Sequence, residues 1–333
     1  MTIRYGWIGK GIAVALGAVA LALALPPETN GEPFPFPARM LASTLLLAAV
    51  FAIYEVLGYS FGRAIARSFP EDPGVACASA ELTATLSLRA ATAVLVFAAY
   101  LGAQLIALVI VDVVAILSGA GVYVTVALND PRSAPWLAAT ILAGMVGGAA
   151  LSLALTLRYG RDVLRARGPL AIGYVPVERR VLVQAGLAAA VFGGLYLLLA
   201  PHLAAPDSSA DLGPFVQLAK AGGWPRFAGA FAAVVLAPPL EEFLFRGVLL
   251  AGLARSWGVP VAGLLVTLLF VAWHLPYAAR YWPAALAITL MALFLLATRL
   301  RTGSILPGIA AHFAYNAVLV MAMYLGPPSS RAA

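Results

Sequence analysis

The chain has few charged residues, and this scarcity limits the classes of protein that it can form. Only 11% of its 333 residues are charged and 62% are hydrophobic, whereas soluble domains carry about 25% charged residues. No soluble core can bury so large an apolar share. The composition therefore excludes an ordinary soluble domain and predicts a protein whose main solvent is the lipid bilayer.

Cysteine and histidine are also scarce. The single cysteine, Cys77, excludes an internal disulfide framework and a cysteine-based metal site. Of the three histidines, His202 follows Pro201 at the end of an apolar run, and we interpret it as an ordinary interfacial residue. The other two, His274 and His312, lie within apolar runs and are left as candidates for a chemical role.

Basic residues outnumber acidic residues, which gives a net charge of +7. In a soluble protein this excess would suggest a nucleic-acid partner. Here the arginines collect in the short segments between apolar runs, where orientation signals and contacts with anionic lipid headgroups lie. We therefore expect the lipid bilayer as a partner and no nucleic acid.

Apolar runs long enough to cross about 30 Å of hydrocarbon recur along the whole chain. They lie near residues 9–26, 40–60, 91–117, 135–157, 181–201, 226–250, 259–275, 283–299 and 305–325. We predict an all-α, polytopic transmembrane bundle of about eight to nine spans. Arginine-rich segments follow alternate runs, so the positive-inside rule predicts a cytoplasmic N-terminus. The alanine- and arginine-rich composition favours a bacterial inner membrane.

Two adjacent carboxylates and an arginine interrupt the run near 226–250. Ionisable groups inside a span are costly and are by default functional. Pro238 and Pro239 suit the first turn of a helix, so we expect a helix to begin at or just after Pro239, with both glutamates near its positive end. Glu242 and Arg246 are four residues apart and can pair, whereas Glu241 points about 100° away and can take a proton from water.

Two further pairs of residues lie in later apolar runs. Phe270 precedes His274 by four residues, and His312 precedes Asn316 by four residues. Residues at this spacing share one face of a helix. Taken alone, either histidine could equally be an ordinary former of interhelical hydrogen bonds.

Read in order, the three stretches have the patterns EExxxR, FxxxH and HxxxN. Their combination resembles the CPBP family of intramembrane proteases, which contains the type II CAAX prenyl proteases and bacteriocin-processing or immunity proteins. The resemblance covers residues 181–325, and we predict an intramembrane protease domain there. Residues 1–180 would form N-terminal transmembrane helices of unassigned role, and residues 326–333 a short polar tail.

The resemblance implies a role for each motif residue. Glu241 and His274 would activate the attacking water, and His312 and Asn316 would stabilise the oxyanion. The supporting positions are Glu242, Arg246 and Phe270. Carboxylate and imidazole groups are suited to general acid–base catalysis, which agrees with these roles.

Cofactor use is open at the level of sequence. Glu241, His274 and His312 could bind zinc, because a catalytic zinc ion needs three protein ligands and an open position. The sequence has no HExxH motif, and the three ligands would come from three helices, so we favour a site without metal.

We expect an endopeptidase that hydrolyses a membrane-associated or hydrophobic peptide or protein, CAAX-like and lipidated in the relatives. The alternative is a protein without hydrolytic activity. It would be either a bacteriocin-immunity protein or a proton-coupled transporter that uses the same carboxylates and histidines as a proton relay.

Overall fold

A computed structural model describes residues 28–29, 32–33, 88–119, 131–203, 214–221, 223–278 and 281–325. This part of the chain is mainly helical, with short loops and two strands of two residues each, β1 (Glu28–Thr29) and β2 (Glu32–Pro33), which pair antiparallel. The all-α prediction is confirmed for it. The expected spans near 9–26 and 40–60, Cys77 and the predicted tail at 326–333 lie outside the described residues.

Ten α-helices follow one another in the described part. They are α1 Ala90–Leu117, α2 Ala134–Tyr159, α3 Arg161–Arg167, α4 Arg179–Leu203, α5 Pro214–Ala221, α6 Gly223–Phe231, α7 Ala237–Glu241, α8 Leu250–Ala278, α9 Trp282–Thr302 and α10 Leu306–Leu325. Two π-helical segments, Ala232–Leu236 and Glu242–Leu249, join α6, α7 and α8 into one run. Short 3-10 helices span Pro131–Ser133 and Gly168–Ile172.

Within the described ranges, six helical segments are long and apolar enough to cross a membrane. Large apolar side chains cover the outer face of α1, where Leu105, Ile106 and Val109 are each at least 60% exposed. Such a surface is stable against lipid rather than water. The chain is therefore an integral multi-pass membrane protein, while the count of eight to nine spans and the cytoplasmic N-terminus stay predictions.

The helix that carries the glutamates begins earlier than expected. The prediction of a start at Pro239 is wrong, because the helical run extends from Gly223 through the proline pair. A proline inside a helix lacks a backbone donor and crowds the preceding turn. The π-helical segment Ala232–Leu236 widens that turn, with the Ala237 N–H bonded to the carbonyl of Ala232. The glutamates therefore lie inside a helix, away from its positive end.

This run of 53 residues folds back on itself. A straight helix of that length would measure about 80 Å, far more than the thickness of a bilayer. Gly258 breaks it with φ 78° and ψ 159°, a conformation that glycine adopts without strain. The two arms are antiparallel, which brings His274 on the second arm back to Glu241 on the first.

The first arm runs through the centre of the bundle, and every residue from Glu242 to Leu250 is buried. Helix α10 packs beside α4, where the rings of Phe192 and Tyr315 stack with centroids 5.6 Å apart. A Cβ at Gly193 would lie 3.3 Å from the Tyr315 ring, so the small residue permits this close approach. The packing sets His312 of α10 against the glutamates.

Candidate active site

The two glutamates are both buried but face different partners. Glu242 is 0% exposed, and its Oε1 accepts a hydrogen bond of 2.9 Å from Nη1 of Arg246, so the pair expected from the spacing is present. Nη2 of Arg246 donates to the carbonyl of Ala292 at 3.2 Å. Glu241 points instead towards the two histidines. A fully buried pair of this kind mainly fixes geometry, since breaking it would leave an uncompensated charge.

The orientation of His274 is fixed within its own helix. Its Nδ1 lies 2.8 Å from the carbonyl oxygen of Phe270. Because a carbonyl only accepts, Nδ1 carries the proton in this hydrogen bond, and the neutral ring keeps a lone pair on Nε2. Nε2 lies 3.8 Å from Oε2 of Glu241. Two proton acceptors therefore face each other across a gap that is too long for a direct hydrogen bond.

His312 lies between the two carboxylates. Its Nε2 is 3.9 Å from Oε2 of Glu241, and its Nδ1 is 3.5 Å from Oε1 of Glu242. Only 6% of the His312 side chain is exposed, compared with 28% for His274. His274 is therefore the more accessible of the two histidines.

The ring of Phe270 lies near Arg246, His274 and His312. Its ring centroid is 4.3 Å from Cζ of Arg246, within the range of a cation–π contact. The same ring is 4.6 Å from the His274 ring and 6.0 Å from the His312 ring, centroid to centroid. It gives the guanidinium and both imidazole rings an apolar neighbour.

Asn316 bonds to a backbone group. Its Nδ2 donates to the carbonyl of Ala233 at 2.8 Å. In the π-helical turn that carbonyl would receive the N–H of residue 238, which is a proline and has none. Asn316 therefore satisfies an acceptor that the proline leaves open and ties α10 to the glutamate helix. The described hydrogen bond of Asn316 is thus to a backbone atom, whereas Glu241, His274 and His312 approach one another through their side chains.

Residues without a motif also contact this group. Arg299 is 1% exposed and its Nε donates to the carbonyl of Arg246 at 3.2 Å. A Cβ at Gly308 would lie 2.7 Å from Oε2 of Glu242. The ring of buried Tyr100 lies 6.1 Å from that of Trp273, centroid to centroid, and Tyr100 is within electrostatic range of Glu241.

The sequence analysis did not identify Arg299, Gly308 or Tyr100 as neighbours of the site. Arg299 resembles an orientation signal at the end of a span, and Tyr100 lies in the part that has no motif. Gly308 did leave a signal, because it lies one helical turn before His312.

The separations of Glu241, His274 and His312 decide whether they can bind a zinc ion together. Two ligand atoms of tetrahedral zinc lie about 3.4 Å apart, whereas Oε2 of Glu241 is 3.8 Å and 3.9 Å from the two histidine Nε2 atoms. Within the part of the chain that the structure describes, no group of three or more His, Cys, Asp or Glu side chains has metal-binding geometry. As arranged, Oε2 of Glu241 is too far from the two histidine Nε2 atoms for all three to bind one zinc ion.

The apolar helices bring two carboxylates and two imidazoles together inside the bundle, and groups of these kinds are suited to proton transfer. Residues 223–318 match the family described as type II CAAX prenyl endopeptidase, Rce1-like. All three motifs lie in this stretch, so the predicted family resemblance is confirmed. The chain is a multi-pass membrane protein, and its residues 223–318 are similar to a family of CAAX-type intramembrane proteases. The boundaries expected at 181 and 325 stay predictions.

No curated protein and no solved structure gives a significant match to the chain.

Proposed function

We propose that the protein is an intramembrane endopeptidase that hydrolyses a peptide bond by means of water activated by Glu241 and His274. The observation that carries the proposal is the pair of facing acceptors, Oε2 of Glu241 and Nε2 of His274, 3.8 Å apart. A single water molecule can donate one hydrogen to each of them at this separation. Two strong acceptors on one water increase the electron density on its oxygen and prepare it for attack.

The reaction then follows from these positions. The water oxygen bonds to the carbonyl carbon of the substrate while one proton passes to Glu241 or His274. The tetrahedral intermediate carries a negative oxygen, and its collapse breaks the C–N bond. The proton held by the protein passes to the leaving nitrogen, which gives a carboxylic acid and an amine. The acid then loses its own proton to the amine, so the products are a carboxylate and an ammonium group.

Oxyanion stabilisation is assigned to His312 and Asn316. His312 donates from Nε2 in the tautomer that carries the ring proton on that nitrogen. Asn316 uses one amide hydrogen for Ala233 and has a second to offer. One donor of this kind contributes about 10²–10³-fold to kcat.

The substrate is proposed to be a membrane-associated or hydrophobic peptide or protein, with a lipidated CAAX-like C-terminus as the first class to test. The family match supports this choice. A buried site in which His274 is the more accessible histidine, among helices with exposed apolar faces, suits a chain that already lies in the bilayer. We place the protein in a bacterial inner membrane on the basis of its composition.

The test uses the purified full chain in liposomes with two quenched fluorescent peptides that end in a CAAX sequence, one farnesylated and one not. We expect Glu241→Gln and His274→Gln each to reduce kcat by about 10²–10⁴-fold while the protein stays folded. Glu178→Gln is the matched control, because that carboxylate is 61% exposed and lies outside the group.

Cleavage that persists in both variants would refute the assigned roles. If the wild-type protein cleaves neither peptide but protects cells against a peptide toxin, the immunity alternative replaces the enzyme.

A further inference from the structure

The glutamates are balanced by two buried arginines, although the motif contains only one. Glu241 and Glu242 carry two negative charges in the interior, and Arg246 can neutralise one of them. The second buried cation is Arg299 on α9, which Glu242 influences electrostatically. A buried charge without a counter-charge is strongly destabilising, so a second buried cation near the two glutamates stabilises the group.

Arg299 also holds the backbone of the glutamate helix. Its Nε donates to the carbonyl of Arg246, which lies inside the π-helical segment Glu242–Leu249. π-helical turns are rare in proteins and are frequent at functional sites. A side chain from a neighbouring helix that binds such a carbonyl fixes the rotation of this segment, and with it the direction of both glutamate side chains.

A loop from outside the family match closes over the guanidinium of Arg299. Gly173 has φ 80°, and a Cβ there would lie 2.9 Å from Cζ of Arg299. The loop is fastened to the turn between α9 and α10, because the N–H of Ile305 donates to the carbonyl of Gly173 at 2.8 Å. Oγ of Ser304 donates to the carbonyl of Val175 at 2.6 Å. The guanidinium is thus enclosed and cannot turn away to solvent.

We propose that Arg299 is a positioning residue of this site, which supplies the second buried positive charge and fixes the backbone at Arg246 without touching the substrate. The proposal rests on the proposed peptidase function. It adds to the EExxxR motif a residue from a separate helix, and it gives residues 173–175 a role in the site.

The activity test compares Arg299→Gln, Arg299→Lys and the control Arg301→Gln, whose arginine is exposed on the same helix. We expect Arg299→Gln to lower kcat on the farnesylated peptide by about tenfold or more with KM changed less than about twofold, because the residue acts on the catalytic groups and not on substrate binding. Arg299→Lys should recover part of the loss, since lysine restores the charge but not the planar fork.

A second measurement does not depend on cleavage. Unfolding midpoints are compared for Glu242→Gln, Arg299→Gln and the double variant. If the two charges balance each other, the double variant loses clearly less stability than the sum of the single losses. If the wild type cleaves no tested peptide, this cycle still decides the charge arrangement, which separates failure of the proposal from failure of the proposed function.

Two outcomes overturn the proposal. One is an Arg299→Gln variant whose kcat equals that of Arg301→Gln, even if its unfolding midpoint falls, because the residue would then be purely structural. The other is strict additivity in the stability cycle, which would show that Arg299 and Glu242 do not interact.

Discussion

Replacing Gly308 by alanine tests the site through a single added methyl group. A Cβ at this position would lie 2.7 Å from Oε2 of Glu242, whereas ordinary contact begins at 3.4 Å. The carboxylate would have to retreat by about 0.7 Å. The other oxygen, Oε1, accepts the hydrogen bond of 2.9 Å from Arg246. A retreat of the whole carboxylate directly away from Arg246 would stretch this bond to at most about 3.6 Å, beyond the range of a hydrogen bond.

The expected loss follows from the chemistry of that bond. A hydrogen bond to a charged group contributes about 1.5–3 kcal/mol, and a broken buried ion pair costs about 3–5 kcal/mol. We expect Gly308→Ala to lower the free energy of unfolding by about 1.5–3 kcal/mol, with the larger value as an upper bound. Cleavage should fall as well, because Glu242 also faces His312.

The assay is denaturant unfolding of the purified protein, with peptide cleavage measured on the same preparation. Gly194→Ala is the matched control, because Gly194 is also helical and nothing lies within 4 Å of its added Cβ. It should be neutral or stabilising by up to about 1 kcal/mol. Shortening the carboxylate in Gly308→Ala/Glu242→Asp should recover stability. If Gly308→Ala behaves like Gly194→Ala, the close contact with Glu242 is refuted.

Further predictions concern Asn316 and metal dependence. Asn316→Ala removes the donor to the half-buried carbonyl of Ala233 and should lower the free energy of unfolding by about 0.5–1.5 kcal/mol, and unchanged stability would contradict this contact. It should also lower kcat by about 10²–10³-fold if the second amide hydrogen binds the oxyanion. Dialysis against EDTA and 1,10-phenanthroline should leave cleavage unchanged. A loss that zinc restores would support the alternative in which Glu241, His274 and His312 bind the ion.

Local spacing was sufficient to predict which side chains share a face. The pair Glu242 and Arg246 and the different direction of Glu241 follow from helical geometry alone, and both are present. That His274 and His312 meet Glu241 was expected from the resemblance, because spacing within a helix says nothing about which helices are neighbours. Membrane spans were predicted for a related reason, since the length of an apolar run reports the thickness of the bilayer.

The errors and omissions arise where tertiary packing overrides local rules. Pro238 and Pro239 favour a helix start, yet the wide π-helical turn before them accommodates both rings inside a continuous helix. Arg299 could not be distinguished from an orientation signal, because its role depends on a carbonyl 53 positions away in the sequence. The partner of Asn316 was likewise hidden, since it is a backbone atom that became free only through that irregular turn.

The hydrogen bond between His274 and the carbonyl of Phe270 spans a single helical turn. The imidazole therefore takes its direction from the same rigid body that carries it. The arm that carries His274 could tilt to admit a bulky lipidated chain. The imidazole and the carbonyl of Phe270 would then move together, and the lone pair on Nε2 would keep its direction relative to that arm. His274 is thus oriented before the substrate binds, and none of the substrate's binding energy is needed to orient it.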